Sequence, residues 1–387
     1  MPISRLAALA LLVSSVAFSN AAWSQAPPGG QEYFVYIGTY TRNTSRGVYG
    51  FRFNPSTGTV TSLGLTAEIP SPSFMAASPN GRFLYTANER EYNEVMGNKV
   101  STFSIDAQTG RLTLLKRTPS QGDGPAFVVV DPTGKVLIVA NYRGGNVAVL
   151  PITNDGTLGD ATSVDQHYGR GGDPERQATP HAHGVALSPD NKYALVAEHG
   201  IDQVMVYRFD AARGTLAPGN PPSFKTPPSR APRHVVFHPN GKFAYVINEL
   251  AGSLTVFAFS GADGTLRELQ TVSTTPLGFS GGNTGAEVVI DKGGRFVYTS
   301  NRGPETIGVF AIDSATGTVS LVEHVPTGGK TPRNIALDPT GAFMFAGNQA
   351  SNTLAVFRVD AKTGRLRSTG QLYDVPEPTS IVFVPVK

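Results

Sequence analysis

The chain contains no cysteine. That excludes a disulfide framework, a thiolate nucleophile, and any zinc or iron–sulfur site built on cysteine ligands. Charge is scarce too. Asp, Glu, Lys and Arg make up 16% of the 387 residues, and Lys+Arg exceed Asp+Glu by only 32 to 29. No Lys/Arg run concentrates that excess, so there is no footprint for a nucleic-acid partner. A 40% hydrophobic content is too high for an intrinsically disordered polymer. Long apolar runs are missing as well. Leu6 to Phe18 is too short to cross a bilayer comfortably as a helix, and no later segment approaches that role. No segment sustains a helical period.

The Leu6 to Phe18 run fits a secretory signal peptide better than an uncleaved anchor. Arg5 supplies the basic start, and Ala22-Trp23-Ser24 is a small-x-small cleavage pattern. Residues 1–26 are therefore expected to be leader and linker start, with the mature chain beginning near Gln25. The mature protein is expected to be exported, periplasmic or secreted, without a membrane span. Residues 31–387 are expected to form one domain.

Turn residues are abundant, Gly 43 and Pro 29, and they punctuate a repeat. The phrase Ser78-Pro79-Asn80-Gly81-Arg82-Phe83-Leu84-Tyr85-Thr86-Ala87-Asn88 returns at Asp131 to Asn141, Ser188 to Glu198, His238 to Asn248, Asp291 to Asn301 and Asp338 to Asn348. A headless copy is Tyr33 to Thr39. Units of roughly fifty residues built of short β-rich runs are the signature of propeller blades. Each unit reads as four strands. In one copy these are Arg233 to Phe237, Phe243 to Asn248, Leu254 to Phe259 and Leu266 to Val272. The tail Pro378 to Pro385 matches a first strand lacking its second, and Tyr33 to Thr39 a second lacking its first. Joined, they complete a blade and leave no open sheet edge. The expected fold is an all-β, seven-bladed β-propeller of four antiparallel strands per blade, closed by its N- and C-terminal strands.

In such a ring the start of strand one and the end of strand two share a face, next to the axis. Aligning the repeats places Ser73, Ala126, His183, Arg233, Ala286, Arg333 and Thr379 there. One position later come Phe74, Phe127, Gly184, His234, Glu287, Asn334 and Ser380. After the strand-two ends come Tyr40, Glu89, Tyr142, His199, Glu249, Arg302 and Gln349. Titratable groups converging in a concavity form a candidate site. The long connection Asp165 to Thr179, carrying His167, Arg170, Asp173 and Arg176, is expected to rim it. His181 and His183 lie two apart, a spacing that suits a metal pair, but no third ligand has diagnostic spacing, so no metal is expected.

Several segments resemble the seven-bladed lactonase family, which includes bacterial 6-phosphogluconolactonases and fungal carboxymuconate cyclases. They are Tyr36-Ile37-Gly38-Thr39-Tyr40-Thr41, Arg176 to His183, Ala231 to Gly241, Val246-Ile247-Asn248-Glu249-Leu250, Gly294 to Gly303 and Thr331-Pro332-Arg333. The resemblance implies a lactonase with no cofactor, and catalytic roles for His183, Arg233 and Glu249. His181, His234, Arg302 and Arg333 are expected to bind substrate. His183 is the expected general base, with Glu249 orienting it or alternating with it, and Arg233 the oxyanion donor. The expected partner is a small-molecule lactone and the expected state a monomer. A cycloisomerase of muconate-type acids and a non-catalytic exported binding module are the alternatives.

Overall fold

The structure is a computed structural model that describes residues 30–89 and 98–387. The expected leader lies outside the described residues. Seven four-stranded antiparallel sheets form the molecule. The only helical pieces among the described residues are two 3-10 turns, His199–Ile201 and Gln349–Ser351. The fifth blade runs Pro232–Phe237, Phe243–Asn248, Ser253–Phe259 and Leu266–Ser273. These bounds fall within one residue of those read from the sequence.

Burial explains the strand compositions. Second strands such as Phe83–Asn88 and Phe243–Asn248 are buried at every residue, because each sheet is covered on both faces by its neighbours. They read as continuous apolar runs rather than alternating ones. Outermost strands such as Thr59–Glu68 are largely exposed and carry the polar residues. The apolar core is divided into seven clusters, each spanning one junction between adjacent blades. Junctions are also braced by hydrogen bonds. The Tyr85 hydroxyl donates to the Gly156 carbonyl of the next blade at 2.8 Å, and Tyr245 likewise to Gly317 at 3.0 Å. Gly156 has φ +83°, and a Cβ there would meet the Phe83 ring at 2.3 Å, so only glycine serves.

The innermost strands touch one another in an unbroken cycle. Tyr33–Thr39 pairs antiparallel with Pro378–Pro385, from Tyr33 opposite Pro385 to Thr39 opposite Pro378, and so completes the first blade from both ends. The seven-bladed, four-stranded ring expected from the repeat is the fold observed.

Each innermost strand begins with a slip in register. Pro232 faces Asn248 but His234 faces Ile247, so Arg233 is an extra residue. The same bulge isolates Ser73, Ala126, His183, Arg333 and Thr379. In the sixth blade Ala286 and Glu287 together fall between the paired Gly285 and Val288. Bulges of this kind re-aim side chains and are common beside functional sites.

Candidate active site

A second backbone device fixes the residues that follow each second strand. The amides of Tyr40, Glu89, Tyr142, His199, Glu249 and Gln349 donate to the carbonyls of Glu377, Ser71, Gly124, His181, Ala231 and Thr331. Each acceptor directly precedes the innermost strand of the same blade. Four of them, Ser71, Ala231, Thr331 and Glu377, are non-glycine residues with positive φ, and each precedes a proline. Such conformations cost about 1–3 kcal/mol each and persist only where the surroundings over-determine them. The strain is gathered at the one end of the ring where the charged side chains meet.

Glu249 is the hub. Its side chain is 8% exposed, and three arginines from three elements reach it. Arg233 Nε lies 3.2 Å from Oε2, Arg302 Nη2 3.0 Å from Oε2, and Arg176 Nη2 2.9 Å from Oε1. His199 Nε2 stands 3.8 Å from Oε1. Burial alone would raise the Glu249 pKa. Arg302, His199 and Arg233 overcome it and hold the carboxyl well below the usual range. Glu249 is therefore held as an anion at neutral pH.

The arginines are fixed in turn. Arg233 is buried and donates through Nη1 to the Ala286 carbonyl. Burial, with repulsion from Arg333 and Arg302, pushes its pKa down to about 9, which leaves it protonated at neutral pH. Arg302 donates to the Thr284 and Gly285 carbonyls, at 3.2 and 3.0 Å. Arg333 donates to the Tyr40 hydroxyl at 2.8 Å, and that hydroxyl donates to Glu89 at 2.8 Å. Arg176 comes from the long connection after the third blade, and its side chain is 46% exposed.

Three imidazoles gather on Tyr142. His181 stacks on its ring at 4.5 Å and bonds to its carbonyl through Nδ1. His183 and His199 meet the ring edge-on at 5.2 and 5.6 Å. Burial, then Arg233 and His234, keep the His183 pKa well below 6.5, so the ring is neutral and carries a free lone pair. Its Nδ1 has no hydrogen-bond partner among the described residues, and neither has either nitrogen of His199.

Next to this cluster lies a mixed aromatic and polar layer. Phe74 and Phe127 stack at 4.1 Å, and the His234 ring stands edge-on to both. His234 Nδ1 bonds to Glu287 at 2.7 Å, and Asn334 donates to the other Glu287 oxygen. Burial pushes the His234 pKa down to about 4.

The sequence-derived positions His181, His183, Arg233, Glu249, Arg302 and Arg333 thus gather in one cluster, with His234 packed against His183. Two members had no role assigned from the sequence. His199 stood in the aligned series but matched no motif. Arg176 lay in the long connection, whose length marked it as a rim without showing which side chain reaches inward. From the same connection, His167 turns away into the blade interior, against Glu198 and Tyr207. His238 and His324 brace blade junctions through the Gly294 and Thr274 carbonyls. Among the described residues no three His, Asp or Glu side chains are grouped to hold a metal.

Residues 34–383 match the family model described as Lactonase, 7-bladed beta-propeller. The chain is 33% identical over 296 residues to the 6-phosphogluconolactonase of Bacillus subtilis, covering 76% of this chain and 82% of that protein. It is 31% identical over 297 residues to the 6-phosphogluconolactonase of Formosa agariphila, covering 76% and 83%. The periplasmic gluconolactonase of Pseudomonas aeruginosa superposes with a TM-score of 0.86 at 33% identity, over 92% of this chain and all of that one. With the ring, its closure and the charged cluster in place, these likenesses assign the chain to the seven-bladed β-propeller lactonase family.

Proposed function

We propose that this protein hydrolyses a sugar-acid lactone at the mouth ringed by His183, Arg233 and Glu249. The observation that carries the reading is a neutral imidazole, with an unpartnered buried nitrogen, close to Arg233 and to a buried carboxylate shared by three guanidinium groups. Lactone opening needs a proton acceptor for the attacking water and donors for the oxygen that becomes negative. His183 takes the proton. Arg233, pinned to the Ala286 carbonyl, faces the developing oxyanion. Glu249 keeps the arginines in register, and His199 is the imidazole next to it. Arg302, Arg333 and His181 hold the substrate's hydroxyl or anionic groups through fork-like and ring-nitrogen contacts. His234 supports the floor of the site.

The likeness to a protein named as a periplasmic gluconolactonase, together with the expected leader, favours an exported enzyme acting on unphosphorylated aldonolactones. A pH-stat assay on gluconolactone and its 6-phosphate tests this. Turnover that is lost in Arg233→Ala and His183→Ala supports it; unchanged turnover in both variants refutes it. The excess of guanidinium groups over carboxylates at the mouth favours one second reading, cycloisomerisation of a muconate-type acid. Loss of muconate ultraviolet absorbance checks that reading.

A further inference from the structure

Five blades carry asparagine at the end of the second strand, Asn88, Asn141, Asn248 and Asn348 as its last residue and Asn301 one residue before it. In three of them the side-chain amide donates to a carbonyl of the preceding inter-blade loop, that of Pro70, Ser120 or Thr327. The fourth blade has Glu198 instead, fully buried. A carboxylate has no proton to give a carbonyl, and burying one is costly unless its oxygens are bonded. Here both are. Oε1 accepts from the amides of His181 and Gly200. Oε2 is bonded to Nδ1 of His167. The other nitrogen of His167 lies 2.7 Å from the Tyr207 hydroxyl, which donates to Asp165 at 2.6 Å. The substitution therefore comes with a complete set of buried partners, which asparagine in the other blades does not need.

Gly200 belongs to the 3-10 turn that carries His199, and His181 opens the run to His183. We propose that Glu198 is a positioning residue. By holding the amides of His181 and Gly200 it sets where His181, His183 and His199 stand around Glu249. Through His167 it also anchors the connection that brings Arg176 inward. The proposal rests on the lactonase reading of the same site. Asparagine is one methylene too short to span both amides and His167. Glutamine is long enough: its oxygen can accept the two amides while its NH2 donates to His167 Nδ1. The imidazole then donates from Nε2 to Tyr207, which still donates to Asp165.

The test compares Glu198→Asn with Glu198→Gln. A misplacement of about 1 Å costs on the order of 10²-fold in rate, so Glu198→Asn is expected to lose about that much kcat with KM little changed. Glu198→Gln is expected to recover most of it. Wild-type kcat in Glu198→Asn, or equal losses in the two variants, would overturn the proposal. So would a fall in melting temperature with kcat intact. A second arm needs no substrate. The amide protons of His181 and Gly200 are expected to resonate downfield in wild type and in Glu198→Gln, and to move upfield in Glu198→Asn; unmoved signals overturn it. If wild type opens no lactone, the functional reading fails while this arm still decides the role of Glu198.

Discussion

Glu249→Gln removes one negative charge from a site where three arginines meet and changes almost nothing in shape. Breaking a buried ion pair by neutralising one partner costs about 3–5 kcal/mol. The Arg176 side chain is 46% exposed and that of Arg302 14%. Water takes up part of their loss, which argues for the lower end, about 3 kcal/mol. At about 2.1 cal/mol/K per residue, unfolding a chain this long carries roughly 0.8 kcal/mol/K of entropy. The melting temperature of Glu249→Gln should therefore fall by about 4 °C. The vacated charge should also become a site for a small anion. A ligand at a hundred times its Kd stabilises by about 2.7 kcal/mol, so sulfate should restore most of the loss in the variant and leave wild type nearly unmoved. Differential scanning fluorimetry over a sulfate series measures both effects. A variant that melts with wild type and ignores sulfate would show that Glu249 does not neutralise the cluster.

His183→Ala is expected to lower kcat by about 10²–10⁴-fold, the usual worth of a positioned proton acceptor, measured by pH-stat. Because the His183 pKa lies well below 6.5, the acid limb of kcat/KM should also fall below pH 6.5; a limb centred there would contradict the assignment. His234 is depressed to about 4. Between pH 6.5 and 4 the unfolded chain binds a proton that the folded chain does not, so stability falls on acidification, by roughly 3 kcal/mol from this residue. Urea unfolding at pH 7 and pH 4.5 should show a smaller difference in His234→Gln than in wild type. Gly156→Ala should destabilise by several kcal/mol, since its Cβ would press on Phe83 at 2.3 Å from a backbone at φ +83°; a thermal scan checks it.

The blades were legible because their signals are local. A Pro-x-Gly turn and a buried strand ending on Asn recur in most units, and Pro378 to Pro385 matches what Tyr33 to Thr39 lacks. The gathering of His183, Arg233, Glu249 and Arg333 at one end followed from that alignment. The bulges did not, since a register slip leaves no mark in composition. It is the slip that frees Arg233 from the ladder and turns it toward Glu249. The inward reach of Arg176 was illegible for a different reason. Its reach depends on Gln177, a fully buried neighbour whose amide donates to the His199 carbonyl and to Asp202. His199 needs the geometry of two blades at once to be seen beside Glu249. Phe74, Phe127 and Glu287 looked alike as axial positions, and only their contacts show that they form a floor.

The pairing of Tyr33–Thr39 with Pro378–Pro385 sets an order of events during synthesis. Six sheets can form as their residues emerge, but the seventh waits for residue 385. Until then one strand near the beginning offers unsatisfied amides and carbonyls to any passing chain, a hazard that exposed β-edges carry. Cotranslational folding of this molecule therefore ends with a latch rather than a gradual consolidation. Nascent chains stalled before residue 378 should be the species most prone to misassociate.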